Sequence, residues 1–130
     1  MSPALLEALA KCNVPVLPGV SNTGDILMAL EYGFEEQKLF PASLAGGAPF
    51  VSAVSSVFRA VSFCPTGGVS ESNKMDYLSL NNVFAVGGTW IAKKELLANF
   101  LVQPSLFSLS SYRQRRIHYL KKDSTFCYFR

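Results

Sequence analysis

A lysine lies in the middle of a short apolar strand pattern, Glu36-Gln37-Lys38-Leu39-Phe40-Pro41-Ala42, and its amine is the first group that could do chemistry. Side chains alternate along a strand, so we expect Lys38 and Phe40 on one face and Leu39 on the other. If the strand is buried on both faces, burial lowers the pKa of the lysine. A neutral amine attacks carbonyl compounds and forms a Schiff base. The alternative is a lysine whose stem packs on apolar surface while its ammonium reaches water.

Two glycine pairs follow the next two strand patterns along the chain. Glycine lets backbone N–H groups approach an oxyanion closely, and the N-terminus of the following helix adds a favourable dipole. Threonine hydroxyls beside each pair can bond the same oxygens. Either pair alone is an ordinary turn signal. Together they predict a phosphate site at Thr66, Gly67, Gly68, Gly87, Gly88 and Thr89.

A repeat of strand and helix positions these residues. Predicted strands begin near residues 14, 37, 61 and 83, so successive starts are 23, 24 and 22 residues apart. Repeated strand-helix units give a parallel sheet with right-handed crossovers. The carboxyl ends of such strands meet at one rim, which is where sites form. The sequence therefore predicts an α/β fold with the lysine and both glycine pairs at one rim.

Five helices are predicted between and after these strands. They cover residues 3–11, 24–32, 46–54, 74–80 and 93–99. Ser2 and Pro3 are typical of a helix start, and Gly33 is typical of a helix end. Leu27 and Met75 are among the residues expected on inner faces. The first strand is expected to be buried from Val14 to Pro18, before the turn at Gly19.

Composition limits the classes of function. The 130 residues fit one domain, with 49% hydrophobic and 16% charged residues. The net charge of +3 comes mainly from the last twenty residues, so the body predicts no nucleic-acid partner. Three cysteines without metal-like spacing indicate reduced thiols in a cytoplasmic protein and no metal site. We expect no signal peptide and no membrane partner, since the most apolar window, 96–109, is too short to span a bilayer.

Five short motifs occur in order with characteristic spacing. They are Val-Leu-Pro-Gly-Val (16–20), Lys-Leu-Phe-Pro-Ala (38–42), Phe-Cys-Pro-Thr-Gly-Gly (63–68), Asp-Tyr-Leu (76–78) and Val-Gly-Gly-Thr-Trp (86–90). Over about residues 2–97, the chain resembles the 2-keto-3-deoxy-6-phosphogluconate aldolases, which also act on 4-hydroxy-2-oxoglutarate. The resemblance implies a class I aldolase on a (β/α)₈ TIM barrel, commonly a homotrimer.

The resemblance also implies roles for individual residues. Lys38 matches the Schiff-base lysine, and the two glycine pairs with their threonines match the phosphate loops. Pro18, Phe40 and Pro65 are expected to line the pocket. The implied substrate is a phosphorylated 2-keto sugar acid, cleaved to pyruvate and glyceraldehyde 3-phosphate. Cleavage of 4-hydroxy-2-oxoglutarate to pyruvate and glyoxylate is the related reaction. No cofactor or metal is implied, since the iminium is the electron sink.

The chain also departs from the family pattern. Its four strand-helix units, residues 1–99, match the C-terminal half of the barrel. In relatives the other half supplies a glutamate general base, together with an arginine and a threonine that hold the substrate carboxylate. A half barrel has exposed edge strands, which predicts aggregation, dimerisation into a pseudo-barrel or dependence on a missing partner.

Residues 100–130 form an atypical apolar and basic tail, expected to be irregular and interpreted as sequence read out of frame in a truncated gene. A nucleic-acid or membrane role for its basic cluster is the alternative for the tail. The alternative for the whole chain is a non-catalytic remnant that retains at most a phosphate-binding rim.

Overall fold

The computed structural model of the protein describes residues 1–92 and 127–129. The α-helices are α1 (Pro3–Ala10), α2 (Thr23–Glu31), α3 (Gly47–Val54) and α4 (Lys74–Leu78). The strands are β1 (Gly19–Val20), β2 (Glu36–Leu39), β3 (Ser62–Phe63), β4 (Ala85–Gly87) and β5 (Cys127–Phe129). A short 3₁₀ helix, Thr89–Ala92, follows β4.

The first four strands run parallel in chain order. Gly19 pairs with Lys38, and Gln37 pairs with Phe63, which places β2 between β1 and β3. Parallel bridges from Phe63 to Val83 and from Thr66 to Gly87 place β4 beside β3. The predicted α/β fold of about four parallel units, a partial barrel, is confirmed. The carboxyl ends of β2, β3 and β4 therefore lie at one rim.

The main core lies between one face of the sheet and the helices. Its fully buried members include Leu39, Phe63 and Val86 on the strands and Ile26 and Val51 on the helices. A smaller cluster contains the buried residues Cys64 and Ala85, with Leu17 and Phe84 packed against it. The main core thus covers one face of the sheet, while Ala85 of the smaller cluster points to the other face of β4, because side chains alternate along a strand.

Two helices begin as the sequence predicts. The hydroxyl of Ser2 accepts a hydrogen bond from the N–H of Leu5 at the start of α1, with Pro3 in the first turn. The side chain of Asn22 accepts a bond from the N–H of Asp25 at the start of α2. Gly33 has a φ of +86°, the left-handed conformation that ends a helix.

The predicted position of the first strand is wrong. Val14 is 67% exposed, and regular pairing begins only where the carbonyl of Pro18 accepts a hydrogen bond from the N–H of Lys38. Pro15 and Pro18 have no N–H, so this stretch cannot donate a full ladder of hydrogen bonds. The strand β1 therefore begins at Gly19, which the sequence assigned to the turn, and ends at Val20.

Two side chains predicted to face inward are exposed instead. Leu27 is 49% exposed and Met75 is 61% exposed, which corrects both predictions. On α2 the buried residues are Ile26 and Ala29, three positions apart on one helix face. On α4 the buried residues are Tyr77 and Leu78.

The last described strand, β5, was not predicted. It runs antiparallel to β4, with Val86 opposite Tyr128 and Gly87 opposite Cys127. It covers one edge that the half-barrel interpretation left open. The helix predicted at 93–99 and the remainder of the tail lie outside the described residues. Within the described part of the chain, no helix has the length and apolar character needed to cross a membrane.

Candidate functional site

The strand β2 presents Lys38 on the side away from the main core. Its neighbours Gln37 and Leu39 are fully buried, whereas Lys38 is partly exposed and Phe40 is 53% exposed. The ammonium nitrogen of Lys38 lies 5.7 Å from the centroid of the Phe40 ring. This confirms the alternation that places Lys38 and Phe40 on one face. Two-sided burial of the strand is not found within residues 1–92 and 127–129, because only the opposite face is covered.

A cavity of about 250 Å³ opens beside the Phe40 ring at the rim. Its wall contains five of the six residues predicted to bind phosphate, and it adds one that the sequence analysis missed. The lining residues are Phe40, Thr66, Gly67, Gly68, Val69, Gly88 and Thr89. The rim therefore brings together the turns after β2, β3 and β4, as the parallel topology predicts.

The backbone of the turn after β3 is held by hydrogen bonds from the neighbouring turn. Gly67 and Gly68 have φ values of +89° and +78°, which side chains disfavour. The carbonyl of Thr66 accepts a hydrogen bond from the N–H of Ala42 at 2.8 Å, and that of Gly67 accepts one from Ser43 at 3.0 Å. The turn that ends the lysine strand thus holds the glycine turn beside it.

A third carbonyl in the same turn is held by a side chain. The amide nitrogen of Asn73 donates to the carbonyl of Gly68 at 3.0 Å. In a trans peptide the C=O and the following N–H point in opposite directions, and these peptides are trans. The N–H groups of Gly67, Gly68 and Val69 therefore point away from the groups that hold the carbonyls. None of the three donates a hydrogen bond to another part of the described chain.

The second glycine pair is required by close packing. A Cβ on Gly87 would collide with the side chain of Thr66, and one on Gly88 would collide with the indole of Trp90. Gly87 is not in the cavity wall. It donates its N–H to the carbonyl of Pro65 at 2.9 Å and packs under Thr66. Gly88 therefore lines the cavity, whereas Gly87 packs against Thr66, which lines it.

Two of the residues expected to line the pocket lie outside the wall of this cavity. Pro18 and Pro65 are buried, and each uses its carbonyl to accept a hydrogen bond from the neighbouring strand or rim. Neither is in the wall of the cavity. Phe40 is in that wall, as expected. A proline that ends a strand is a good turn signal. The sequence does not show whether that proline lines the cavity or only pairs with the neighbouring strand through its carbonyl.

The carboxylates near the rim have local partners. Asp25 accepts hydrogen bonds from the N–H and hydroxyl of Ser21 and from the side chain of Asn22. Burial raises the pKa of Asp25, but the hydrogen bonds from Ser21, the positive charge of the N-terminus and the backbone of Asn22 outweigh it and hold the pKa below its usual 3.8. Glu71 forms an ion pair with Lys74. In the part of the chain that the structure describes, no group of three His, Cys, Asp or Glu side chains could hold a metal ion.

Comparison with known proteins decides the family. The family model described as "Aldolase: KDPG and KHG aldolase" matches residues 1–103. The chain belongs to this aldolase family. The KHG/KDPG aldolase of Escherichia coli K12 is 39% identical over 101 residues, which are 75% of this chain and 47% of the relative. The 2-dehydro-3-deoxy-phosphogluconate aldolase of Pseudomonas aeruginosa PAO1 is 44% identical over 93 residues, covering 72% of this chain and 42% of that protein.

Solved structures of the family agree with the fold. The KDPG aldolase of Legionella pneumophila, solved with pyruvate captured as a covalent carbinolamine intermediate, has a TM-score of 0.72 and 42% identity, covering 78% of this chain and 49% of that one. The Zymomonas mobilis aldolase, solved with 3-phosphoglycerate, has a TM-score of 0.68 and 35% identity, covering 72% and 45%. The chain spans about half the length of the curated relatives it matches.

In this member of the aldolase family, the sequence analysis missed two residues near the rim. Val69 was not included because it follows the glycine pair and carries no polar group. Asn73 directly precedes α4, a position at which asparagine is typically only a helix cap. The signal that could have found Asn73 is its spacing, since an amide five residues after a glycine pair can reach back across the turn.

Proposed function

We propose that the protein is a class I aldolase that uses Lys38 to cleave 2-keto-3-deoxy-6-phosphogluconate into pyruvate and glyceraldehyde 3-phosphate. Cleavage of 4-hydroxy-2-oxoglutarate into pyruvate and glyoxylate is its second reaction. One observation carries the proposal. The ring of Phe40 borders both the ammonium of Lys38, at 5.7 Å, and the cavity formed by the glycine turns. The amine and the anion site therefore open on the same side of the sheet.

The chemistry begins when the neutral amine of Lys38 attacks the 2-oxo carbon of the substrate. The carbinolamine formed loses water and becomes a protonated imine. Removal of the proton from the 4-hydroxyl breaks the C3–C4 bond, and the bonding electrons move onto the imine to form an enamine. The aldehyde fragment leaves. Protonation of the enamine at C3 and attack of water on the imine then release pyruvate and restore the amine.

The turn after β3 is suited to the phosphate end of the substrate. The N–H groups of Gly67, Gly68 and Val69 are consecutive donors without protein acceptors in the described residues, and all three residues line the cavity. Successive N–H groups in a glycine-rich turn form a concave site for anions. We propose that these groups, together with Gly88, Thr66 and Thr89, hold the phosphoryl oxygens. Gly87 contributes by allowing Thr66 to pack at the rim.

Two relatives support the two ends of this site. The Legionella pneumophila aldolase holds pyruvate as a covalent carbinolamine, the first intermediate of the proposed reaction. The Zymomonas mobilis aldolase was solved with 3-phosphoglycerate, a phosphorylated three-carbon acid. The motifs that contain Lys38 and the two glycine pairs lie within residues 1–103, the segment that matches the family model.

The test is reductive trapping. The protein is incubated with pyruvate and sodium borohydride, which reduces an imine to a stable secondary amine, and the modified residue is located by peptide mass spectrometry. We expect a pyruvyl adduct on Lys38 that is absent from Lys38→Arg. Lys11 is the internal control, because it is exposed at the C-terminal end of α1 and paired with Glu7 at 2.7 Å. Folded protein with no adduct on Lys38 would remove the enzymatic proposal.

A second candidate is a non-catalytic chain that binds phosphate at the rim. The observation in its favour is that the carbonyls of the glycine turn are all held by groups in residues 42–73, while the chain spans half the length of its relatives. The anion site is then complete without the remaining strands of a barrel. Phosphate binding without pyruvate trapping would support this second candidate and contradict the first.

We further propose that the four strand-helix units are the C-terminal half of the barrel and that the chain acts in the cytoplasm as a homo-oligomer. Sedimentation velocity measures the oligomeric state, and a monomer at working concentration contradicts that part. If another chain supplies the general base, co-expression with an N-terminal half of a relative should increase aldol cleavage. No increase would contradict completion in trans.

A further inference from the structure

We propose that Asn73 is a positioning residue for the anion site, and that its side-chain amide holds the peptide between Gly68 and Val69 with the N–H directed at the ligand. The inference rests on the phosphate-binding part of the proposed function. It adds a residue outside the cavity wall that determines how well a phosphate or phosphate monoester is bound.

The geometry is a two-point clamp across the turn. The amide nitrogen of Asn73 donates to the carbonyl of Gly68 at 3.0 Å, and its amide oxygen accepts from the N–H of Ser70 at 2.8 Å. The first bond fixes the orientation of the peptide between Gly68 and Val69, because C=O and N–H are opposed in a trans peptide. The second fixes the residue that follows Val69. The N–H of Val69 therefore has a defined direction before any ligand arrives.

This peptide needs a side chain to hold it. The two preceding carbonyls, of Thr66 and Gly67, are bonded by backbone N–H groups of the turn after β2. The carbonyl of Gly68 is the next along the chain, and Asn73 is the group that bonds it. Glycines with positive φ have wide conformational freedom, so a peptide between one and the next residue can rotate at low cost. A rotated peptide would present a carbonyl oxygen to an anion, which is repulsive.

The side chain of Asn73 does not make the hydrogen bond that is usual for a residue at the start of a helix. Asn73 is the residue before the first turn of α4, a position where asparagine normally accepts a hydrogen bond from the helix backbone. Here its side chain makes no such cap bond to α4. The nitrogen and the oxygen of its side-chain amide instead both bond to the turn that contains Gly68. That use is unexpected for a helix cap and follows naturally from a role in shaping the anion site.

The experiment is a titration of the full 130-residue protein with inorganic phosphate, followed by ¹H–¹⁵N NMR. The variants are Asn73→Ala and, as matched control, Asn82→Ala. Asn82 donates its amide to the carbonyl of Val51 at 2.9 Å, so the control removes the same type of bond, of similar length, away from the cavity. We expect phosphate to shift the amide signals of Gly67, Gly68 and Val69 in the unaltered protein. We expect Asn73→Ala to weaken phosphate binding about 3- to 10-fold, the effect of one hydrogen bond.

Pyruvate trapping on Lys38 is the second readout, since pyruvate has no phosphate. A positioning role predicts that the phosphate affinity of Asn73→Ala falls more than its rate of trapping, and that Asn82→Ala does not show this split. Equal phosphate affinity in Asn73→Ala and Asn82→Ala overturns the inference. If Asn73→Ala does not fold, Asn73→Ser is tested in its place. The serine hydroxyl lies one bond closer to the backbone than the asparagine amide, so this side chain is shorter than the one that reaches the carbonyl of Gly68.

The outcome separates this inference from the function on which it rests. If the unaltered protein binds no phosphate, the anion-site part of the proposed function fails, and the role of Asn73 fails with it. If the unaltered protein binds phosphate and Asn73→Ala binds it equally well, only the role of Asn73 fails. Trapping of pyruvate on Lys38 tests the Schiff base independently of both.

Discussion

The two faces of β2 differ in what covers them. On one face, Gln37 and Leu39 are fully buried against the helices. On the other, Lys38 is partly exposed and Phe40 is 53% exposed. The helices of this chain complete the first face. The second face carries the amine of Lys38 and the ring of Phe40 that borders the anion cavity, and the helices do not cover it.

This difference means that residues that stabilise the fold alternate along the strand with residues that face the proposed site. A buried side chain contributes by removing apolar surface from water, and that contribution does not require the cavity. A side chain on the open face contributes contacts at the rim and little burial. Substitutions one position apart should therefore separate the free energy of unfolding from Schiff-base formation, and each prediction below tests that separation.

The largest effect is expected for Leu39→Ala on the buried face. Leu39 has no exposed surface and belongs to the main core, so truncation removes buried methyl groups and leaves a cavity. We expect the free energy of unfolding in urea to fall by about 2–5 kcal/mol. The control is Leu27→Ala on α2, which is 49% exposed in the described structure and should cost about 0.5 kcal/mol or less. Equal losses in the two variants would contradict the assignment of the faces.

The next effect compares two glycines at the rim. A Cβ on Gly87 would collide with the buried side chain of Thr66, whereas one on Gly19 would meet nothing within 4 Å. We expect Gly87→Ala to lower the free energy of unfolding by about 1–3 kcal/mol because of overpacking. Gly19→Ala should be neutral or stabilise by up to about 1 kcal/mol, since it restricts the unfolded chain. Thermal unfolding of both variants measures the difference, and a destabilised Gly19→Ala would show that the face beside Lys38 is not open.

A smaller effect on stability is expected for Phe40→Ala. The ring is half exposed, so its loss should cost about 1 kcal/mol of unfolding free energy. The same change removes the contact between the ring and the ammonium of Lys38, which is worth about 0.5–1 kcal/mol. We expect the rate of pyruvate trapping to change about two- to fivefold while the protein stays folded. A loss of stability as large as that of Leu39→Ala would place Phe40 in the core and contradict the comparison.

Much of this arrangement could be predicted from the sequence, because period and turn chemistry are local. The alternation at Lys38, the helix cap at Ser2 and the glycine turn after β3 each depend on residues within a few positions. The position of β1 could not be predicted from apolar residues alone. Val14 and Val16 suggest a strand, but the prolines beside them remove the N–H groups that a ladder needs.

The remaining differences come from tertiary contacts. A nine-residue helix has several apolar residues, and which of them is buried depends on how the helix lies on the sheet, so Leu27 and Ala29 could not be separated in advance. The pairing of β5 with β4 joins residues about forty positions apart and has no local signal. At the site, the clamp by Asn73 depends on a side chain that turns away from its own helix, which a cap motif alone does not indicate.

The smallest effect concerns Asp25, at the start of the helix that covers the buried face. Burial raises its pKa, and the hydrogen bonds from Ser21, the positive charge of the N-terminus and the backbone of Asn22 outweigh it, so the pKa in the folded protein lies below the usual 3.8. The carboxylate is therefore favoured by folding, and its contribution to stability is present above pH 3.8 and is lost as the pH falls through the lowered value. Asp25→Asn should cost about 0.5–1 kcal/mol near neutral pH, and this cost should shrink as the pH falls below 3.8.

Urea unfolding of Asp25→Asn and the unaltered protein across this pH range measures the cost. Asp76→Asn is the control, because the carboxylate of Asp76 accepts no hydrogen bond from residues in the described ranges. Since α2 covers the face opposite Lys38, the rate of pyruvate trapping near neutral pH should be the same in Asp25→Asn as in the unaltered protein. A trapping rate that falls with this substitution would mean that the cap of α2 acts on the open face, and the separation of the two faces of β2 would then not hold.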